Sequence, residues 1–503
     1  MNEINSNKQI KIGASISYAA IFLNIAAALL YTPWMVGKIG QSDYALYTLS
    51  TSLISIFMMD FGISASVSRF IAKFRAEKNE EQIQNFLGIV YKLFLVIAAF
   101  IFVVLLVVFF FLDNIYAGLT DDEVEKFKSL YIIVGGYSLF SFPFMPLNGI
   151  LGANEKFVAL KFCDMGTKLL TIGLIVVALF SGMGVVAVVS ANAVAGLVMI
   201  AVKYIIIRSA KLPRANFRCK DSALLKSIFS FSVWVTIMSI AQRCMFNLAP
   251  TILGIVSNST EIAIFSPANA LESYFYTFAA AINGLFLPKI SRYIAEGKRD
   301  EIMSLMIKVG KYQMIVMGLI FTGFCVLGRE FMTLWMGEEY QRAYFGAILI
   351  FLPDLFTFSQ QIANTLMTAD GKVKLQAVGY VLMAVVTLAF SFWLSNAFGA
   401  IGAAASIAIG YLANFIYINI IYTTKLKLKM GDFYKNCYLR TIPVIILSIC
   451  LGILATMFIP QSGWLLWGVK GIIIVIIYAL FALFFALNTQ ERHFVCKRIF
   501  RKG

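Results

Sequence analysis

Charged side chains are scarce in this sequence, since Asp, Glu, Lys and Arg make up only 14% of its 503 residues while 60% are hydrophobic. Globular domains carry about 25% charged residues, so a soluble protein of this composition would need an implausibly large core. The mean hydropathy of +0.83 and the recurring long uncharged stretches exclude an ordinary soluble protein. They predict an all-α polytopic membrane protein.

Histidine is nearly absent, and the cysteines form no pattern. His493 is the single histidine and lies in a basic C-terminal segment, where a solvated surface role is expected. The seven cysteines show no C-x-x-C or other ligand spacing. The sequence therefore supports neither a disulfide framework nor a metal site, and we expect no resident cofactor.

Fourteen apolar stretches are long enough to cross a membrane, because a spanning helix needs about 20 residues. They are predicted near 12–36, 44–68, 88–112, 129–151, 157–180, 184–207, 228–256, 262–287, 305–327, 343–367, 375–396, 399–423, 441–459 and 465–487. The loops between them are too short to hold a separate catalytic domain.

The basic residues lie in short clusters between the apolar stretches and give a formal net charge of +16. They do not form one amphipathic face, so nucleic-acid binding is not expected. The clusters fall in alternate loops and at both chain ends, and this distribution predicts that both termini are cytoplasmic. An even number of spans agrees with that orientation.

The chain repeats itself. Ser68-Arg69-Phe70-Ile71-Ala72 returns as Ser291-Arg292-Tyr293-Ile294-Ala295, and three further sets of residues match in the same order at offsets of about 216–218. We therefore predict two pseudo-symmetric six-helix bundles, residues 1–220 and 221–430, followed by two extra helices and a basic tail at 431–503. Six spans per half is the parallel-repeat arrangement of some transporters.

Several predicted spans carry a stripe of polar residues at steps of three and four, which places those residues on one face of a helix. Polar stripes often serve helix packing alone. Embedded charges are a stronger signal, because each costs about 2.5–3.5 kcal/mol at mid-depth and such residues commonly mark pathways. The candidates that line a substrate cavity are Arg243, Asn247, Asn24, Tyr31, Lys168, Tyr276, Asn283, Gln361 and Asn364, and those for ion coupling are Asp60, Glu272 and Asp354.

Other embedded charges have simpler explanations. Asp164 and Lys168 are spaced i, i+4, and a structural ion pair is one reading of them. Lys203, Lys311 and Lys470 fall near helix ends, where their ammonium groups are expected to reach the membrane surface.

Three motifs of this sequence are typical of a known family: residues 40–47 (GQSDYALY), residues 59–63 (MDFGI) and residues 68–72 (SRFIA). With the fourteen-span plan they resemble the polysaccharide repeat-unit flippases of the Wzx or O-antigen type. The resemblance implies the fold of the multidrug/oligosaccharidyl-lipid/polysaccharide exporter superfamily, with a central cavity lined largely by helices one, two, seven and eight. One departure is that Glu261-Ile262-Ala263-Ile264-Phe265 is a degenerate second copy of the first motif.

The resemblance also implies a function: moving an undecaprenyl-pyrophosphate-linked oligosaccharide, of O-antigen, lipopolysaccharide or capsule type, from the cytoplasmic to the outer leaflet by alternating access. The location would be the bacterial cytoplasmic (inner) membrane, and the partners would be the lipid-linked glycan, membrane lipid and a downstream polysaccharide polymerase. Coupling to H⁺, to Na⁺ or to the membrane potential is expected. Embedded acids outnumber embedded cations here, which argues against a purely cationic cavity.

Two alternatives stay open. A cation-coupled small-molecule or multidrug antiporter on the same fold would need a carboxylate for its substrates, and the surplus of embedded acids suits it. A membrane polymerase or ligase would need a large outer loop with catalytic residues, whereas the predicted outer loops are short. The internal repeat also favours transport over catalysis.

Overall fold

The computed structural model describes residues 22, 25–58, 63–154, 156–210, 215–219, 221–280, 286–460, 463–489 and 491–492. Every regular element in these ranges is a helix, and they contain no strand. The predicted all-α class is therefore confirmed. Each of the fourteen predicted segments contains helix in its described part.

By length and apolar composition, eight helices in the described ranges qualify as membrane spans, or nine if one bent pair counts as a single span. One of the eight runs from Val373 to Thr424 and contains two of the predicted spans, separated at Gly399. The segment Ile25–Ile39 is apolar but shorter. The fold is that of a multi-pass membrane protein, and the number fourteen stays a prediction.

The helices form two compact units. One contains Ala26–Ser266 and Leu388–Gly399. Its helices are α1 (Ile25–Ile39), α2 (Gln41–Phe57), α3 (Ile63–Ala76), α4 (Glu80–Phe110), α5 (Leu112–Ile115), α6 (Asp121–Ser141), α7 (Pro146–Ala153), α8 (Phe157–Phe180), α9 (Val185–Ser209), α10 (Ser222–Asn247), α11 (Ala249–Val256) and the first part of α12 (Ser259–Ala280).

The other unit contains the described parts of Met1–Ile25, Pro267–Thr387 and Ala400–Gly503. Its helices are the rest of α12, α13 (Leu287–Ala295), α14 (Arg299–Met336), α15 (Ala343–Ser359), α16 (Gln361–Ala369), most of α17 (Val373–Thr424), α18 (Met430–Phe433), α19 (Leu439–Met457) and α20 (Gly463–Phe481), which ends in a π-helical turn, Ala482–Ala486. The long helix α14 packs against α15, α19 and α20.

Local sequence explains where several helices begin and end. Thr120 and Glu123 form a capping box at the start of α6, so two backbone N–H groups that would otherwise be unpaired are satisfied. Asn79 accepts a hydrogen bond from the backbone N–H of Gln82 and caps α4. Gly337, with a φ of 104°, ends α14, because glycine adopts this left-handed conformation without steric cost.

Large apolar side chains are exposed on the outer helices. On α4, Val96 is 68% exposed, Phe100 68% and Phe110 71%. A soluble monomer rarely exposes such a continuous apolar surface, whereas lipid covers it at no cost. The exposed surface therefore supports a membrane location for the long helices.

The two copies of the repeated motif lie in matching surroundings. Residues 68–72 belong to α3, which packs against α7, and residues 291–295 belong to α13, which packs against α16. Both α7 and α16 follow a break: a 3₁₀ turn at Phe142–Phe144 precedes α7, and α15 and α16 meet at a bend of 54°. Two homologous halves would produce this arrangement, although the boundaries at residues 220 and 430 stay a prediction.

Gly399 breaks α17 with a φ of 57° and lies directly against the Glu261 carboxyl group. We expect Gly399→Ala to destabilise the protein by about 1–2 kcal/mol from backbone strain alone, and further because the new Cβ would displace the buried Glu261 side chain. Thermal unfolding of the purified protein measures this. Gly182→Ala is the matched control, because Gly182 also has a positive φ but has no atom within 4 Å of the added Cβ. Equal losses in the two variants would show that the contact with Glu261 is unimportant.

Candidate functional site

Two carboxyl groups face each other inside the second unit. Glu272 lies near the middle of α12, and Asp354 lies on α15. Their side chains are close enough to interact directly, although Glu272 is only 4% exposed and Asp354 is 0% exposed. Sequence reasoning selected both residues for ion coupling, and the structure brings them together.

Polar partners around this acid pair are few. Both carboxylate oxygens of Asp354 and Oε1 of Glu272 lack a hydrogen bond of normal geometry, and so does the buried Oδ1 of Asn269, one turn before Glu272. Besides Glu272, the hydroxyl of Tyr411 on α17 interacts with Asp354. Among the described residues, neither acid forms an ion pair with Lys or Arg. The acid pair is thus a buried cluster of acceptors with too few donors.

Tyr276 borders the acid pair one turn beyond Glu272. It is near enough to both acids to feel their charge, and its ring meets that of Phe358 edge-on at 5.1 Å between ring centres. Tyr276 is 40% exposed, so it connects the buried acids with a more open surface of the same unit. The sequence predicted Tyr276 as a substrate contact, and that role stays a prediction.

Two ionised carboxylates in contact, away from water and without a cation, would cost many kcal/mol. The arrangement is compatible with one proton shared by the pair, or with a small cation held by its oxygens. Within the described residues, no group of three or more His, Cys, Asp or Glu side chains could hold a metal ion. The chemistry that the cluster offers is reversible uptake of one positive charge.

Two predicted cavity residues lie close together in the first unit. Arg243 is exposed on α10, and Asn247, the last residue of that helix, donates through Nδ2 to the Arg243 carbonyl at 3.5 Å. Leu248 separates this helix from α11. Arg243 and Asn247 do share one region of α10, as the periodicity predicted.

The remaining predicted cavity residues belong to both units. In the first unit, the Tyr31 hydroxyl donates to the sulfur of Met35 at 2.8 Å, and Lys168 is exposed on α8. In the second unit, Gln361 is the first residue of α16. Asn364 accepts hydrogen bonds through Oδ1 from Gln376 and from the Tyr422 hydroxyl at 3.3 Å and 3.2 Å. Three further candidates, Asn24, Asn283 and Asp60, lie outside the described residues.

The predicted span over 343–367 contains a bend. The bend between α15 and α16 places Asp354 on one arm and Asn364 on the other, so the polar residues of this segment do not form one continuous stripe. Gln360 at the bend donates through Nε2 to Oδ1 of Asn419 at 3.0 Å and to the Tyr438 hydroxyl at 3.1 Å. These side chains anchor the bend, which periodicity alone could not reveal.

The predicted partners and positions of four embedded lysines and one acid are also corrected by the structure. Asp164 pairs with Lys203 at 3.8 Å and not with Lys168, because α8 packs against α9 and brings Lys203 within reach. Lys470 does not extend to the surface: it is buried and pairs with Glu330 on α14 at 2.8 Å. Lys311 is likewise buried and pairs with Glu491. In each of these pairs the carboxylate comes from another part of the chain and not from the lysine's own helix.

Glu491 lies beyond the last span and shows the effect of its pairing. Partial burial would raise the pKa of its carboxyl group, but the hydrogen bonds from Lys311 and from the backbone N–H of Asn488 outweigh burial and lower that pKa. Glu491 therefore stays ionised over the physiological pH range. This ion pair holds the end of the chain's described region against α14.

Tyr411 is the member of the acid cluster that sequence reasoning missed. It lies in the second half of α17, among apolar and small residues, and a single tyrosine in such a helix gives no stripe. Gly410 beside it packs against the backbone of Met383 in the first half of the same helix. The sequence signal that could have indicated Tyr411 is the Gly410-Tyr411 pair, because a small residue beside an aromatic one is typical of a close contact between helices.

Comparisons with known proteins agree with this architecture. The sequence model of a family described as polysaccharide biosynthesis protein matches residues 11–292, more than half of the chain. A protein of Shigella flexneri described as "Putative O-antigen transporter" is 24% identical over 415 residues, which cover 79% of this chain and 93% of that protein.

Two solved structures are similar over most of the chain. The lipid II flippase MurJ in an inward closed conformation matches with a TM-score of 0.73 at 15% identity, and the match covers 94% of this chain and 98% of that one. An inward-facing multidrug resistance MATE family transporter of the MOP superfamily gives a TM-score of 0.69 at 12% identity, over 82% and 94% of the two chains. At these identities the likeness shows the fold, which is that of MOP superfamily transporters.

Proposed function

Because the chain belongs to the polysaccharide biosynthesis protein family, we propose that it is a flippase for undecaprenyl-pyrophosphate-linked oligosaccharide repeat units. It moves them from the cytoplasmic to the outer leaflet of a bacterial cytoplasmic membrane by alternating access, with both of its own termini in the cytoplasm. The observation that carries this proposal is the family match. A relative described as "Putative O-antigen transporter", which the chain matches over most of that protein's length, supports it. A polysaccharide polymerase would act on the delivered units.

The proposal gives Arg243 the pyrophosphate. A guanidinium group offers several donors in a fixed fork, and charge-assisted hydrogen bonds to phosphate are among the strongest available to a protein. Lys168 would add a second cation. Amide side chains would hydrogen-bond sugar hydroxyls, and the rings of Tyr31 and Tyr276 would stack on the sugars; the amides are those of Asn24, Asn247, Asn283, Gln361 and Asn364.

The acid pair couples transport to an ion in this proposal. Uptake of H⁺ or Na⁺ between Glu272 and Asp354 would favour one conformation of the transporter, and release would favour the other, which is all that coupling requires. Asp60 is a further candidate from the sequence. The membrane potential contributes as well, because moving one negative charge out of an inside-negative cell gains about 2.3 kcal/mol per 100 mV.

One observation keeps a second function in view. The buried acid pair would also suit a cation-coupled small-molecule antiporter, a function consistent with the MATE-like fold. Substrate-dependent proton or sodium flux in vesicles that contain no polyprenyl lipid would favour the antiporter, whereas flux that depends on a lipid-linked glycan would favour the flippase.

Deleting the gene in its native host tests the proposal. We expect surface polysaccharide to disappear and complete lipid-linked repeat units to accumulate in the cytoplasmic leaflet, and a plasmid copy should reverse both effects. Unchanged polysaccharide would reject the flippase function. Drug susceptibility of the deletion strain would then be the next measurement.

Arg243→Ala should abolish export while membrane insertion stays intact, because the exposed side chain contributes its charge to the substrate and little to packing. The readout is surface polysaccharide in the complemented deletion strain, with protein abundance measured alongside. Arg218→Ala is the matched control, since Arg218 is also exposed but lies in the segment between two spans. Normal export by the Arg243 variant would remove this residue from the mechanism.

A further inference from the structure

A cavity in the first unit is lined by none of the predicted site residues. Its volume is about 430 Å³, which falls within the range of about 300–1,000 Å³ for small-molecule sites. Side chains of α4, α7, α9, the 3₁₀ turn before α7 and the segment 215–217 line it, and most of them are apolar or aromatic. Arg208 is the one charged residue of the lining.

One wall of the cavity is the segment Ala215–Cys219, which the surrounding residues hold firmly against α4. The backbone N–H of Asn216 donates to the Gln84 carbonyl at 2.8 Å, and Lys92 donates through Nζ to the Cys219 carbonyl at 2.7 Å. Gly88 lies directly beneath the Asn216 carbonyl, where any Cβ would collide. The wall is therefore a built part of the fold.

Aromatic rings and one arginine form the mouth. Phe217 packs on Tyr91 with ring centres 6.1 Å apart and stays 53% exposed. Arg208 donates through Nε to the Tyr204 hydroxyl at 2.9 Å, and its guanidinium carbon is 5.3 Å from the centre of that ring. This contact fixes the guanidinium at the rim, and its two terminal NH₂ groups have no partner among the described residues.

The lining decides what kind of molecule fits. A sugar or another hydrophilic ligand would leave its hydroxyl groups unpaired against an apolar wall, which costs free energy. A hydrocarbon chain suits the interior, and an anion suits the terminal NH₂ groups of Arg208. The cavity also lies at the end of the spans that the basic loops assign to the cytoplasmic side, where anionic lipid headgroups attract Lys and Arg. Its volume is too small for a whole undecaprenyl chain.

We propose that this cavity binds one acyl chain of an anionic phospholipid, whose phosphate is held by Arg208. The site is separate from the transport function proposed above and does not depend on it. Bound lipid would fill the space between α4, α7 and α9 and stabilise the segment 215–219 against α4.

Native mass spectrometry of the delipidated full-length protein in detergent tests this, with phosphatidylglycerol and phosphatidylethanolamine of identical acyl chains as probes. Both headgroups carry the phosphate, but the ammonium group of phosphatidylethanolamine makes that headgroup neutral overall and is repelled by the Arg208 guanidinium, so we expect phosphatidylglycerol to bind at least about tenfold more tightly. Arg208→Gln should remove this preference. Arg218→Gln, which deletes the same charge on an exposed side chain outside the lining, should retain it.

A second variant tests the acyl chain. Leu147 is buried in the lining, so Leu147→Trp should fill the cavity and weaken binding of phosphatidylglycerol at least about tenfold, while gel filtration confirms a folded protein. If Leu147→Trp is misfolded, competition by glycerol 3-phosphate replaces it: displacement by this headgroup alone would show that no chain is bound. Equal affinity for both lipids, an unaffected Arg208 variant, or preferential displacement by undecaprenyl phosphate would each overturn the proposal.

Discussion

Asp354→Asn lowers glycan transport driven by an ion gradient by about 5- to 150-fold, the range expected when a coupling free energy of about 1–3 kcal/mol is lost. Asparagine has nearly the same volume but cannot exchange a proton, and it is a weaker cation ligand than a carboxylate. Only one exchangeable carboxyl group would then remain in the site, and gradient-driven switching would be weakened. Proteoliposomes with an imposed pH or sodium gradient provide the measurement.

The same variant should fold at least as well as the natural protein. Asp354 is fully buried and neither of its carboxylate oxygens has a hydrogen bond of normal geometry, so removing the carboxylate removes a desolvation cost. Glu272→Gln should behave like Asp354→Asn. Asp300→Asn is the matched control, because the Asp300 side chain is 97% exposed. Gradient-driven transport at the normal rate in both pair variants would exclude the acid pair from coupling.

Lys470→Met destabilises the second unit by about 3–5 kcal/mol, because it leaves Glu330 as an uncompensated charge in a buried place. The side chains of Lys470 and Glu330 are only 3% and 9% exposed and lie 2.8 Å apart. The ion pair ties α20 to α14, next to a hydrogen bond from the Trp467 indole to the Leu327 carbonyl at 3.4 Å. Thermal unfolding of the purified protein measures the loss.

The double variant Lys470→Met/Glu330→Gln should recover most of the lost stability, since both charges are then gone. Lys298→Met is the matched control: Lys298 and Glu296 are 2.7 Å apart but both are substantially exposed, so that pair should contribute little. A single Lys470 variant as stable as the natural protein would mean that Glu330 finds another partner or takes up a proton without cost.

The fold could be predicted from the sequence because the length and apolar composition of membrane helices identify them. The positions of the spans and the repeated motif needed only local information. The bend between α15 and α16, the burial of Lys470 and the pairing of Asp164 with Lys203 could not be predicted. Each depends on which helix packs beside which, and that is not encoded in the periodicity of a single segment.

The candidate site was predicted in part. Glu272 and Asp354 were visible because a charge inside an apolar stretch is costly, yet no pattern on either helix indicated that the two carboxyl groups face each other. Tyr411 was invisible for the opposite reason, since a tyrosine costs little in a membrane helix. Asn364 shows the difference: its place in a polar stripe predicted a ligand contact, while its carboxamide oxygen accepts two hydrogen bonds from side chains of α17.

Transport by the purified protein in proteoliposomes tests directly whether this chain moves a lipid-linked oligosaccharide between leaflets. Polyprenyl-pyrophosphate-linked oligosaccharide is placed in both leaflets, and the fraction in the outer leaflet is read by an impermeant reagent that modifies exposed sugars. We expect the protein to bring the protected fraction within reach of the reagent, and we expect the Arg243→Ala variant not to do so. Equal protection with and without the protein, under an imposed ion gradient and membrane potential, would contradict the proposal that this chain is a lipid-linked oligosaccharide flippase.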